Sequence, residues 1–314
     1  MRERARDLRD AIAGGVWGLL IGDALGVPYE FRKPHQLPSF DQIEMPPPGG
    51  FRPTYPNAPP GAWSDDGAHA LCFLASLLDC GRLDLDDLGA RLLRWLDNGY
   101  MAVDGIVFDV GMQTSTALAN LRSGVPADRA GGRDEFANGN GSLMRVLPLS
   151  LWHCGSDAEL VRDAARQSLV THAHARSQIC CALYCLWVRF TLQGGADPWG
   201  RAAATLRTLS SGWPGWAVEV DDHVRPEREP EGTGSGYVVD CLHSARVAVT
   251  EPTFERVIKR AVSLGHDTDT TAAVAGGLAG VRHGLSGIPA RWKEALAERG
   301  VVEEMVGRLV AGTG

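Results

Sequence analysis

Two acidic couplets carry most of the chemistry open to this chain: Ser64-Asp65-Asp66-Gly67 near its start, and Asp267-Thr268-Asp269-Thr270 about two hundred residues later. Each is followed by a run of small and apolar residues of helix-forming type, so each sits at a helix N-terminus. A helix start carries roughly half a positive charge and favours a carboxylate by about 0.3–1 kcal/mol, which accounts for one Asp per helix as a cap. Capping leaves the second carboxylate of each couplet unexplained, together with the adjacent hydroxyls of Ser64 and Thr270. Carboxylate and hydroxyl oxygens are hard donors suited to Mg²⁺, Mn²⁺ or Ca²⁺. Spacing alone leaves both readings open, caps or metal ligands. If four carboxylates did meet in one cleft, they would raise one another's pKa unless divalent cations offset them.

The elements that must position these groups are helical. Apolar residues recur at three- and four-residue intervals over 7–25, 67–80, 85–97, 110–122, 157–170, 173–192, 236–249, 253–263, 268–283 and 289–310. Neither a strand hairpin nor a βαβ rhythm is present, so the pattern predicts an all-α fold, taken as a single domain over 1–314. Gly14, Gly15, Gly18, Gly22 and Gly26 lie in the first helix, and Gly276, Gly277 and Gly280 in a late one. An interior Gly costs roughly 1 kcal/mol against Ala, so both helices are expected to need close backbone approach, which would draw Asp23 toward Asp267. Residues 34–62 are rich in Pro and Gly and must be a long loop, either a lid ending at the first couplet or a plain surface connection. The first half of 221–236 reads as a solvated loop.

Composition narrows the function classes. The chain has 314 residues, 44% of them hydrophobic, enough for a substantial core. A net charge of −7 without a basic cluster argues against nucleic acid as the main partner. The sequence is read as lacking a membrane-spanning apolar stretch and a signal peptide, which predicts no membrane partner and a cytoplasmic location. Seven cysteines without CxxC spacing read as reduced thiols within helices, Cys154 at the end of one.

Further residues could bind a ligand. Asn138, Gly139, Asn140, Gly141 and Ser142 form a Gly-rich turn ahead of an apolar run, where freed amides could make an anion nest for diphosphate. Arg145 could add charge there, although a buried salt bridge is the expected role. A His entering a helix, such as His172, is by default a cap or core residue, and Tyr237 reads equally as a core aromatic. Trp17 and Trp63 read as packing residues.

Six segments, GDALGVPYEF (22–31), WSDDG (63–67), NGNGSLMR (138–145), THAHARS (171–177), GSGYV (234–238) and LGHDTDTTAAVAGGLAG (264–280), stand in the order and spacing of a known family. The chain resembles the ADP-ribosylglycohydrolase family, in the branch that includes the dinitrogenase reductase-activating glycohydrolase and the ADP-ribosylarginine hydrolases. The resemblance implies a compact orthogonal multi-helix domain with two Mg²⁺ or Mn²⁺ ions in a cleft. It also implies hydrolysis of the glycosidic bond joining ADP-ribose to an acceptor, most of all an arginine side chain of a modified protein. Ser64, Asp65, Asp66, Asp267, Asp269 and Thr270 match the family's metal ligands, with Ser64 where members more often have Thr. Asp65, Asp66 and Asp269 would also serve catalysis, and Glu30 matches a cleft glutamate that orients substrate or moves a proton. Asp23 is expected to be a structural partner behind the metals. Asp109 matches an acid near the acceptor, with a helix cap as the alternative. The loop 138–142 would cradle the diphosphate and distal ribose, His172 would lie by the diphosphate or adenosine, Tyr237 would stack on adenine, and Gly236 would let the backbone approach. His174 and His266 remain unassigned. The alternatives within this resemblance are a hydrolase of free ADP-ribosyl metabolites such as O-acetyl-ADP-ribose, and a catalytically silent ADP-ribose-binding or structural member. A monomer is expected.

Overall fold

The computed structural model describes residues 2–312 and contains fourteen α-helices, with no strand among the described residues. Helices fall close to the apolar repeats at Arg2–Gly26, Asp65–Cys80, Leu85–Asn98, Met112–Arg122, Asp157–Ser168, Ala175–Gln193, Val238–Ala248, Phe254–Ser263 and Thr268–His283. One contiguous buried apolar cluster runs through them, from Ile12 to Leu309.

The glycines make the central seam. Gly14, Gly18 and Gly22 recur every fourth residue and form one stripe on the Arg2–Gly26 helix, facing the antiparallel Thr268–His283 helix. A methyl group on Gly18 would strike the carbonyl oxygen of Gly276, and one on Gly280 would strike that of Gly14. Backbone cannot yield as a side chain can, so glycine is required at this crossing. The seam delivers the end of the first helix, with Asp23, to the start of the late helix, with Asp269; the Thr268 hydroxyl closes it by donating to Gly26 O at 2.8 Å.

Several expectations need correction. The segment 289–310 is two helices, Ala290–Ala295 and Arg299–Gly312. Between them Ala297 N–H donates to Gly61 O at 3.0 Å and Glu298 takes a positive φ of 42°, so a long-range backbone pair interrupts the apolar period. Pro198–Ser210 is an unforeseen helix, begun by Asp197, whose carboxylate accepts from Gly200 N–H at 2.8 Å. The first part of 221–236 continues a π-helical turn, Val220–Val224, rather than a loop. Finally, Asp7–Tyr29 is long and apolar enough by composition to cross a membrane, with a mean hydropathy of 1.5 over its best window, contrary to the sequence reading; 89% of that window is buried inside the fold.

The 34–62 segment is an ordered strap with short 3₁₀ turns. Lys259 donates to Asp41 O and to the Glu44 carboxylate, both at 3.0 Å, and Trp292 Nε1 donates to Glu44 at 2.6 Å. All seven cysteines are free thiols, five of them buried, with Cys154 exposed.

Candidate active site

The bland account of the couplets fails on who caps what. At the Asp65–Cys80 helix, Ser64 Oγ accepts from Asp66 N–H at 3.3 Å. Asp23 arrives from the first helix and accepts from Ser64 N–H at 2.9 Å and Gly67 N–H at 2.7 Å. These bonds satisfy amides that a helix start leaves unpaired, so neither Asp65 nor Asp66 is needed as a cap. At the second helix Asp267 holds the N-cap position without a side-chain capping bond, and its Oδ2 accepts instead from Asn140 Nδ2 at 2.9 Å. Both couplets are thereby free to turn their acids inward.

They converge. Asp23, Asp66 and Asp269 bring carboxylate oxygens within 4.8 Å of one another, and Glu30, Asp109 and Asp269 do the same. Thr270 Oγ1 links the couplets by donating to Asp66 Oδ1 at 3.2 Å. Asp65, Asp267 and Thr270 line the adjoining cleft, whereas Ser64 is 3% exposed. Among the described residues Glu30 Oε2, Asp66 Oδ2, Asp267 Oδ1 and Asp269 Oδ2 are buried without a hydrogen-bond partner. Orphaned carboxylate oxygens in this number are costly unless cations join them, and an all-oxygen donor set fits hard divalent ions.

The titration behaviour has the same origin. Burial, followed by the charges of Asp109 and Asp267, pushes Glu30 up to about 9. Burial raises Asp23 to about 7 although Ser64 and Gly67 N–H donors pull it down. Burial and mutual repulsion carry Asp65, Asp66 and Asp269 well above the usual carboxylate range.

Asp109 has a positive φ of 54° and lies before a helix whose N-cap is Gly111, so it faces the acidic cluster and caps nothing. Tyr55, which sequence reasoning missed, comes from the Pro-rich strap with its hydroxyl toward both Glu30 and Asp109. Its ring packs on Phe108 at 5.0 Å, and the preceding Thr54 Oγ1 donates to Glu30 O at 2.5 Å. No periodicity marks a tyrosine inside Pro-Thr-Tyr-Pro; the contact exists only once the strap is anchored.

The Gly-rich loop also lines the cleft, which is about 750 Å³ in volume. It is braced by protein: Gly139 N–H donates to Gln113 Oε1 at 2.9 Å, Asn140 N–H to Gly236 O at 3.1 Å, and Val238 N–H to Asn138 O at 2.9 Å. The anion-nest reading is narrowed accordingly, because two of its amides are already engaged. Those of Gly141 and Ser142 have no acceptor among the described residues. The Ser142 side chain points inward, where its Oγ accepts from Ser168 at 2.8 Å, and the helix expected after the loop begins only at Leu147. Asn138 is likewise held by protein, donating to Glu135 O and accepting from Ser177.

His172 is 3% exposed and lines the cleft, while His174 is the N-cap of the following helix. Tyr237 is 38% exposed at a helix N-cap, with its hydroxyl accepting from Arg176 at 3.1 Å, so it is no core residue. Gly236 also lines the cleft. Arg145 is fully buried with no carboxylate in ion-pair reach among the described residues, which corrects the expected salt bridge. The His266 side chain is exposed; its backbone pairs with Phe31 and Arg32.

An all-helical scaffold with buried acids beside a Gly-rich loop accords with the family that the sequence resembles. The chain belongs to the ADP-ribosylglycohydrolase family, whose model matches residues 4–314. It is 32% identical to the ADP-ribosylarginine hydrolase Tri1 of Pseudomonas putida (strain GB-1), covering 92% of this chain and 74% of that protein. It is 28% identical to the ADP-ribosyl-[dinitrogen reductase] glycohydrolase of Rhodospirillum rubrum, over 91% of this chain and 90% of that one. Among solved structures, an ADP-ribosylglycohydrolase-related protein complex superposes with a TM-score of 0.77 at 30% identity, covering 98% of this chain and 100% of that chain.

Proposed function

We propose that the protein hydrolyses the glycosidic bond between ADP-ribose and the arginine side chain of a modified protein, using two Mg²⁺ or Mn²⁺ ions. The observation that carries this reading is the set of orphaned buried carboxylate oxygens from both couplets and Glu30, of which Glu30 and Asp267 line the same cleft as the Gly-rich loop. Asp66, Asp269, Asp65, Asp267, Thr270 and Ser64 are the residues that would hold the ions. When bound, such ions neutralise the acids and lower the pKa of water near the anomeric carbon. Glu30 and Asp109 bring carboxylate oxygens close to Asp269; in this reading Glu30 would move a proton at the leaving nitrogen and Asp109 would receive the guanidinium through a two-pronged carboxylate contact. Tyr237 offers an exposed ring for the adenine, and Gly141 lets the backbone approach the diphosphate.

The cleft volume falls within the roughly 300–1,000 Å³ of small-molecule sites. Its mouth also carries Phe31, Met112 and Phe136, which are 67%, 87% and 85% exposed. Apolar side chains standing in water around an active site suit a protein surface more than a free metabolite. Free thiols favour a reducing compartment, and we take the cytoplasm as the site of action. The test is a panel of arginine-, serine- and acetyl-linked ADP-ribose offered to metal-loaded protein. Release from arginine is expected. Preferred release from the acetyl ester would point to the metabolite, and release from none to a silent binder.

A further inference from the structure

A chain of hydrogen bonds runs from the buried Arg145 to the cleft. Its guanidinium donates to Gln167 Oε1 at 3.0 Å, Gln167 O at 3.1 Å, Gly141 O at 3.2 Å and Thr171 Oγ1 at 2.8 Å. Thr171 is fully buried, and its hydroxyl has one other partner among the described residues, His172 Nδ1 at 2.8 Å. Arginine only donates, so Thr171 Oγ1 is the acceptor in the first of these two bonds. The hydroxyl's single proton then has one place to go, the lone pair of His172 Nδ1. The reverse arrangement, with Nδ1–H donating, would leave that proton without an acceptor in a fully buried position, at a cost of about 1–3 kcal/mol. An imidazole that accepts at Nδ1 carries its own proton on Nε2. That nitrogen lies against the Gly-rich loop, where a methyl group on Gly139 or on Gly141 would come within 3.3 Å of it. It makes no hydrogen bond to protein among the described residues.

We propose that Arg145 and Thr171 are positioning residues that hold His172 as the Nε2–H tautomer, making it a fixed neutral donor to an acceptor oxygen of the ADP-ribosyl ligand beside Gly139 and Gly141. The ligand part rests on the function proposed above; the tautomer does not. Burial and then the charge of Arg145 hold the ring far below its ordinary range, at about 3, so it stays neutral. This also gives the buried arginine a role without a carboxylate partner. It holds the loop through Gly141 O and polarises the hydroxyl that orients the histidine.

The test uses the full-length protein and two readouts. Long-range ¹H–¹⁵N spectra of imidazole-labelled wild type, with His172 assigned through His172→Gln, should show a pyrrole-type Nε2 and a pyridine-type Nδ1. ADP-ribose affinity is then measured by calorimetry for wild type, Thr171→Val and Thr171→Ser. Thr171→Val keeps the shape and loses the hydroxyl. It should relax the tautomer preference and weaken ADP-ribose by about tenfold, the worth of one hydrogen bond, with Mn²⁺ affinity unchanged. Thr171→Ser should restore both. An Nδ1–H tautomer in the wild type would overturn the inference, as would a Thr171→Val protein with wild-type spectra and affinity. Should Thr171→Val fail to fold, the wild-type spectrum and Thr171→Ser still decide. Wild-type protein that shows the expected tautomer but binds no ADP-ribose would refute the ligand reading while sparing the relay.

Discussion

The two walls of the cleft are built on opposite principles. The Gly-rich wall is braced by the chain itself: amides of Gly139 and Asn140, side chains of Asn138 and Ser142, and the buried Arg145 all have protein partners, which leaves the Gly141 and Ser142 amides as its unengaged donors among the described residues. The acidic wall is incomplete, with four carboxylate oxygens buried and unpartnered and its acids pushed toward their protonated forms. A preformed wall recognises a ligand by shape and fixed donors. A frustrated wall is finished by something the chain does not supply. On the acidic wall the helix start of Asp65–Cys80 keeps its acids unengaged, because Asp23 and Ser64 do the capping.

Removing one member of the acidic wall should have the largest effect. Asp269→Asn is expected to lower turnover by more than about a hundredfold, beyond the 10–100-fold typical of groups that only support a metal ligand, and to abolish Mn²⁺ binding while the circular dichroism stays helical. Turnover and titration calorimetry check this; an active variant would break the contrast between the walls. Next comes Gly141→Val on the preformed wall. Its added atoms meet the His172 ring, and the expected result is roughly a tenfold to hundredfold loss of ADP-ribose affinity with metal affinity retained. Tyr237→Ala should weaken ADP-ribose by about tenfold through lost stacking, read by the same calorimetry.

The smallest effect concerns stability without metal. Acids whose folded pKa is raised, such as Asp23 at about 7 and Glu30 at about 9, leave the folded state binding more protons than the unfolded one. Stability is then fullest below the unfolded value near 4 and is lost as pH rises through the folded values. Metal-free protein should therefore show a falling Tm between about pH 5 and pH 9, and added Mn²⁺ should raise Tm more at the upper end. Thermal melts across that range check it, and a flat profile would mean the acids are satisfied without ions.

Much of this was legible in the sequence. Three- and four-residue periodicity marked the main helices, and the glycines of the first and late helices announced their close approach, expected to draw Asp23 toward Asp267; in the structure Asp23 meets Asp66 and Asp269. Contacts between distant loops were not legible. The helix break at Ala297 follows from Gly61 more than two hundred residues earlier, and Tyr55 reaches the acids only because Lys259, Arg291 and Trp292 fasten the strap at Glu44. Arg145 was misread because buried arginines usually find a carboxylate, and this one is satisfied by carbonyls, Gln167 and a threonine. The first helix meets the composition of a membrane span because it is buried on nearly every side.

The central claim is that oxygens from both couplets jointly hold the divalent ions that hydrolysis requires. It is tested most directly by stripping the protein with chelator, dialysing, and following ADP-ribose release from ADP-ribosylarginine before and after adding Mg²⁺ or Mn²⁺. The account predicts no release from stripped wild type, full recovery on reloading, and no recovery for Asp269→Asn. Undiminished release from the stripped protein would contradict it.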